Sequence, residues 1–413
     1  MSDKEFEKPL KLMKICLLLS GIKLYHVKWH PIAEAIINSF LYYFNLLVLY
    51  SVIFAEVYWL ADGIQIGRNF VEMSLTPPCI TITILSTLKA IPLYFKKDIV
   101  RQIIDTLRDI HPTETDIEKE KSNDTGRLET KQNDNDTGTL EKTQKEMIVE
   151  DFAKESVTIL KTIQFLLTII NVSVLVTFLV APLISIYLEY NKTGEMKVKY
   201  PFSVKYWFDA YDIKLWPLEY FHQVWATIIV CMNIFGTETL FYSMCTYIEM
   251  HFRILCHRLE SIQSGSSRRI QGDLVENVKK HQLLIHLVEQ TELLFSQPVL
   301  FHIVSSSLLI CLSAFNITVF FFITSFNVHI FAFVTFLALN LSQVFLLCFF
   351  GDKLMRSSTE VSGAIYKCPW YEFDVNAKKA VLIIILRAQK PSKLTAANFA
   401  DLNLRAFTTV SYN

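Results

Sequence analysis

Two charged residues sit inside runs that are otherwise apolar: Lys89, within residues 75–95, and Glu238, within residues 221–248. An ionisable side chain at such a position is costly in hydrocarbon and marks either a function or a partner. Two arrangements meet that cost. Lys89 can run its methylene stem to the cytosolic headgroups, or the two charges can pair across their helices and brace the bundle. The other reactive residue types lack the spacing that chemistry needs. No Cys-x2-Cys occurs, and His251, His257, His281 and His286 form no His-Glu-x-x-His, so neither a zinc site nor any other metal or cofactor is expected. Nor do His, Asp and Cys cluster as an enzyme's nucleophile and base would.

The elements that must carry these residues are set by composition. Apolar residues make up 52% of the 413, Phe alone fills 31 positions, and mean hydropathy is +0.32, so much of the surface must meet lipid. Lysine and arginine total 40 against 40 acidic residues, which argues against a nucleic-acid partner. Runs long enough to cross a core of about 30 Å cover residues 33–60, 75–95, 159–188, 221–248, 296–324 and 328–350. Backbone in lipid must be bonded within its own segment, so these runs predict helices, and the fold class is an all-α membrane protein of about seven transmembrane helices. The seventh candidate is divided. Ala380 to Leu386 and Leu402 to Asn413 are each too short to cross alone.

Basic residues orient the bundle. Residues 1–32, 96–158, 249–293 and 351–379 hold 6, 11, 6 and 5 Lys or Arg, whereas 61–74 and 189–220 hold 1 and 5. This bias puts the N-terminus in the cytosol and, with seven crossings, the C-terminus outside. The stretch from Ile15 to Leu19 is too short for a secretory signal. Cys16, Cys231, Cys245, Cys256, Cys311, Cys348 and Cys368 then fall in spans or on the cytosolic side, leaving Cys79 near the outer face, and no extracellular disulfide is expected.

The chain divides into a cytosolic segment (1–32), spans one and two (33–111), an insertion (112–149), spans three to six (150–350), and an anchor segment with a short seventh span (351–413). The insertion is polar, nearly free of aromatics, and expected to be disordered. It contains a duplication: Asn123-Asp124-Thr125-Gly126-Arg127-Leu128-Glu129 returns as Asn135-Asp136-Thr137-Gly138-Thr139-Leu140-Glu141. The duplication reads as a tolerated loop expansion or a docking segment. Helical spacing over Glu249–Glu260 and Asp273–Phe295, with Leu274, Val278, Leu283, Leu287 and Leu294 on one stripe, predicts helices that continue spans four and five into the cytosol. Their stripes need a partner, either each other or a neighbouring subunit.

Cys348-x2-Gly351-Asp352, Ala364-Ile365-Tyr366, Trp370-Tyr371, Arg387-Ala388-Gln389-Lys390-Pro391, Leu394-Thr395-Ala396, Phe399 and Phe407 form a string that resembles the C-terminal signature of insect odorant receptors. Pro201-Phe202, Trp207-Phe208-Asp209 and Tyr220-x2-Gln223 resemble that family's outer loop leading into the fourth span. The resemblance implies a heterotetramer with the odorant receptor co-receptor, a non-selective cation channel opened by a small apolar odorant, in the plasma membrane of olfactory neuron dendrites. It implies cytosolic helices that anchor the subunits and a last helix that lines the pore, which makes Phe407 and Val410 pore or gate candidates. Family members usually run on roughly a dozen residues past the position of Val410, whereas residues 402–413 rise only about 18 Å, so a complete crossing by this helix is not expected.

An odorant offers few polar handles, so its site should be concave, aromatic and apolar, with a hydroxyl or two to orient it. The outer halves of the spans supply Thr81 and Leu85, Phe178 and Tyr187, Phe221 and Trp225, and Phe331 and Phe336. A G-protein-coupled-type chemoreceptor would carry an Asp-Arg-Tyr-like triplet and an Asn-Pro-x2-Tyr, and a transporter would carry internal repeats. Neither signature is found.

Overall fold

In a computed structural model, residues 3–24, 31–74, 76–111, 135–196, 198–206, 208, 212–263, 266–323 and 328–412 are described. The helices, in chain order, are α1 (Asp3–Leu19), α2 (Pro31–Ile66), α3 (Phe70–Met73), α4 (Thr76–Phe95), α5 (Lys97–Asp109), α6 (Asn135–Thr193), α7 (Trp216–Glu260), α8 (Ser267–Ile323), α9 (Val328–Lys367), α10 (Val375–Ala388) and α11 (Leu404–Tyr412). A two-residue hairpin pairs β1 (Thr395–Ala396) antiparallel with β2 (Ala400–Asp401). Among the described residues, six helical segments are long and apolar enough to cross a membrane: Asn38–Ile66, Thr76–Phe95, Met147–Thr193, Trp216–Glu260, Ser267–Val319 and Leu337–Lys367. Each overlaps one of the six runs expected from the sequence. The divided seventh candidate is present as the two short helices α10 and α11.

The centre of the bundle is α7, which packs against α1, α6, α8 and α9. Its residues from Asn233 to Phe252 are buried on all sides, Tyr242, Tyr247 and Phe252 among them. A helix enclosed all round must satisfy its hydroxyls internally. Thr239, Ser243 and Thr246 do so by donating to the carbonyls of Phe235, Thr239 and Tyr242 at 2.6, 2.6 and 2.7 Å. α1 lies in a groove of α7 that a glycine opens: a Cβ on Gly236 would come within 2.8 Å of Leu17 Cδ2. At the other end of α1 the Tyr247 hydroxyl donates to Phe6 O at 3.0 Å, and Glu7 meets Lys14 and Arg108.

α7 and α8 run unbroken to Glu260 and from Ser267, so both expected extensions are helical continuations of spans. Leu274, Leu287 and Leu294 are buried against the rest of this same chain. The stripe is therefore satisfied within one subunit. The hairpin docks on α8: Thr395 N–H donates to Glu292 Oε2 at 2.8 Å and Ala397 N–H to Ser296 Oγ at 3.0 Å, while Ala397 and Asn398 adopt positive φ. That docking accounts for the Leu394-Thr395-Ala396 portion of the sequence signature.

Residues 112–134 of the expected insertion lie outside the described residues, and α6 begins at Asn135, so the second copy of the duplication is helical. The span supplies the helix nucleus, and lengthening an existing helix through good helix formers such as Glu141, Lys142, Lys145 and Glu146 gains a hydrogen bond for each residue ordered.

Candidate functional site

Lys89 and Glu238 pair. Lys89 Nζ donates to Glu238 Oε1 at 2.7 Å, with the side chains only 6% and 4% exposed. Snorkelling is excluded for Lys89 in this arrangement, because the ammonium is held between α4 and α7. The adjoining void, lined by Thr237, His302 and Leu347 among others, measures about 20 Å³, enough for a water and far too small for an odorant.

A larger concavity lies where residues 198–206, 208 and 212–215 fold back over α2 and the first turns of α7. It has a volume of about 570 Å³ and is lined by Phe44, Val48, Ser51, Tyr206, Phe208, Leu218, Glu219, Phe221, His222 and Trp225. The loop is held there by backbone and side chain alike. Lys205 N–H donates to Ala55 O at 3.1 Å, Phe202 N–H to Gln223 Oε1 at 3.2 Å, and Trp216 Nε1–H to Lys199 O at 3.2 Å. Of the Tyr220 and Gln223 motif, Gln223 thus fixes the loop that roofs the cleft, whereas the Tyr220 hydroxyl ties α7 to α6 by donating to Leu179 O.

Aromatic rings form its walls. Tyr206 and Phe208 stack with centroids 5.2 Å apart, Phe221 and Trp225 at 6.4 Å, and Trp225 is oriented by donating Nε1–H to Asn45 Oδ1 at 3.2 Å. The polar groups lie at one end. The Ser51 hydroxyl donates to Val48 O at 2.8 Å, so His222 Nε2–H donates to Ser51 Oγ, also at 2.8 Å, and Nδ1 accepts from the Tyr206 hydroxyl at 3.3 Å, a tautomer assigned from this network. Burial, and Glu219 beside it, hold the Tyr206 phenol well above its ordinary range, so it remains a proton donor. Glu219 Oε2 is buried with no hydrogen-bond partner.

Of the residues expected from sequence, Phe221 and Trp225 meet in this cleft. Thr81, whose hydroxyl donates to Pro77 O at 2.8 Å, and Leu85, which is buried in the bundle, belong to α4 and do not line it. Phe178 stacks on Phe202 at 5.6 Å behind the loop, and Tyr187 is 65% exposed. The side chains of Phe331 and Phe336 lie outside the described residues. Phe407 is half-buried edge-on to Phe345 at 5.4 Å, and the side chain of Val410 is likewise outside the described residues. Sequence reasoning missed Phe44, Ser51, Tyr206, Phe208, Glu219 and His222. Glu219 and His222 lie one turn apart in the otherwise aromatic and apolar start of α7, a spacing that could have marked them.

A multi-pass helical bundle with an aromatic cleft where a connecting loop folds over it is the architecture of a membrane receptor for small molecules. A model of the 7tm Odorant receptor family matches residues 139–412, and the chain belongs to that family, a family of receptors rather than enzymes. It is 23% identical to Odorant receptor 67c of Drosophila melanogaster over 399 residues, covering 93% of this chain and 88% of that protein. It is 31% identical to Drosophila Odorant receptor 85b over 189 residues, about half of each chain (46% and 47%). The fold is that of the insect olfactory receptor OR5 from Machilis hrabei, with TM-score 0.77 at 15% identity, covering 99% of this chain and 96% of the other. The structure of OR5 in complex with eugenol gives a TM-score of 0.76.

Proposed function

We propose that this chain is an odorant-sensing subunit that binds a small, largely apolar ligand and gates a non-selective cation channel in a heterotetramer with the odorant receptor co-receptor. The observation that carries the reading is the cleft between α2, α7 and the loop. Its rings supply apolar area, and Ser51, Tyr206 and His222 supply a few fixed polar contacts, the combination that ligand sites share. The eugenol complex of the Machilis receptor supports a ligand of that size and character. The excess of Lys and Arg at the α1, α5 and α10 end of the bundle supports a cytosolic N-terminus, with the cleft facing outward.

Assembly has its own support. α10 exposes Leu382, Ile383 and Leu386, a strip that a neighbouring subunit would cover, and α11, which carries Phe407 and Val410, would line the pore of such an assembly. The protein then resides in the plasma membrane, in the dendrites of olfactory neurons. The test is an odorant panel on cells expressing the chain with the co-receptor. Current that rises without G protein or added nucleotide, and is absent when either subunit is omitted, supports the reading; odorant responses that require a G protein overturn it.

A further inference from the structure

Within the cleft, Glu219 is an acid without a counter-charge. Its side chain is 12% exposed, Oε2 has no hydrogen-bond partner, and the Tyr206 hydroxyl that reaches the carboxylate is a neutral donor that leaves its charge unbalanced. The nearest ring nitrogen, His222 Nδ1 at 3.8 Å, is the acceptor for the Tyr206 hydroxyl and carries no proton in that tautomer. Lys205, next in the chain to Tyr206, is turned away to Asp62, which also takes Arg68 at 3.1 Å. A buried carboxylate left in this state costs free energy until a donor or cation reaches it. The cleft it lines is walled by Phe44, Tyr206, Phe208, Phe221 and Trp225, whose ring faces attract positive charge.

We infer that the cleft is selective for a protonated amine: the ammonium binds the Glu219 carboxylate among the faces of the aromatic side chains, while the ligand's apolar body lies against Val48 and Leu218. An ammonium gains both the charge-assisted hydrogen bond and the ring quadrupoles, whereas a neutral alcohol of the same shape gains only an ordinary hydrogen bond. The inference rests on the cleft being the ligand site, and it adds the chemical class of the ligand.

The test separates binding from gating. Phenethylamine, protonated at neutral pH, and its neutral isostere 2-phenylethanol are titrated against the purified full chain by thermal shift, and against cells expressing chain and co-receptor by current. Phenethylamine should bind about tenfold more tightly or better, a difference of roughly 1.4 kcal/mol. Glu219→Gln should bring the ratio of the two affinities close to one, and Glu219→Asp, which keeps the charge, should preserve it. Equal binding of the two ligands to the wild-type chain, or an amine preference that survives Glu219→Gln, overturns the inference. Amine-selective binding with no current in the presence of the co-receptor leaves the inference standing and defeats the channel reading. Current evoked by the alcohol alone does the reverse.

Discussion

Lys89 on α4 and Glu238 on α7 form a buried ion pair 2.7 Å across, beside a small void that Thr237 and His302 also line. Removing one partner of such a pair strands the other charge at a cost of about 3–5 kcal/mol, whereas replacing both with apolar residues of similar volume is close to neutral. Lys89→Met and Glu238→Leu should each cut surface expression sharply, and the double variant should recover most of it. The exchange Lys89→Glu with Glu238→Lys should also recover. Losses that simply add in both double variants, read by surface labelling, would show that the two residues act independently.

α1 docks on α7 through Leu17 and the bare backbone at Gly236. A side chain there has nowhere to go, and overpacking a filled site costs about 1–3 kcal/mol. Gly236→Leu should lower the thermal midpoint of the purified protein, and adding Leu17→Ala should restore part of it. If the second change lowers the midpoint further, the close approach of the two helices is not what limits the site.

The same helix carries a pH dependence. Burial pushes the Glu7 carboxyl up, but hydrogen bonds and attraction from Lys14 and Arg108 outweigh it and hold the group below the ordinary carboxylate range. A depressed folded value means stability that is complete above the ordinary range and lost as pH falls through the folded value. The midpoint of the wild type should therefore exceed that of Glu7→Gln at neutral pH, with the gap closing under acid. A gap that stays constant down to strongly acidic pH would contradict the ion-pair account.

Orientation is testable by glycosylation. Asn191-Lys192-Thr193 ends α6 on its exposed side, whereas Asn316 is buried and bonded to the Ser74 hydroxyl at 2.5 Å. With the N-terminus in the cytosol, Asn191 should carry glycan sensitive to endoglycosidase, while Asn123, Asn135 and Asn316 should carry none. A glycan on Asn123 would invert the topology.

The six apolar runs and the helical class were legible in the sequence, because hydrocarbon imposes length and apolarity on any crossing segment and that constraint acts on each run by itself. The C-terminal string from Cys348 to Phe407 was likewise readable, since it is contiguous. What decided the rest lies between elements far apart in the chain. Whether Lys89 snorkels or pairs depends on which helix faces it, and Glu238 stands 149 residues away. Phe221 and Trp225 could be read as outer aromatic residues, but whether they form a wall with Phe44 and Tyr206, or merely stay exposed as Tyr187 does, depends on how the loop folds back on Ala55 and Gln223. The unpartnered oxygen of Glu219 is invisible in any pattern of hydropathy. Only the packed structure fixes which donors reach a carboxylate, because hydrogen bonds are set by distances of a few tenths of an ångström while sequence periodicity specifies only the face of a helix.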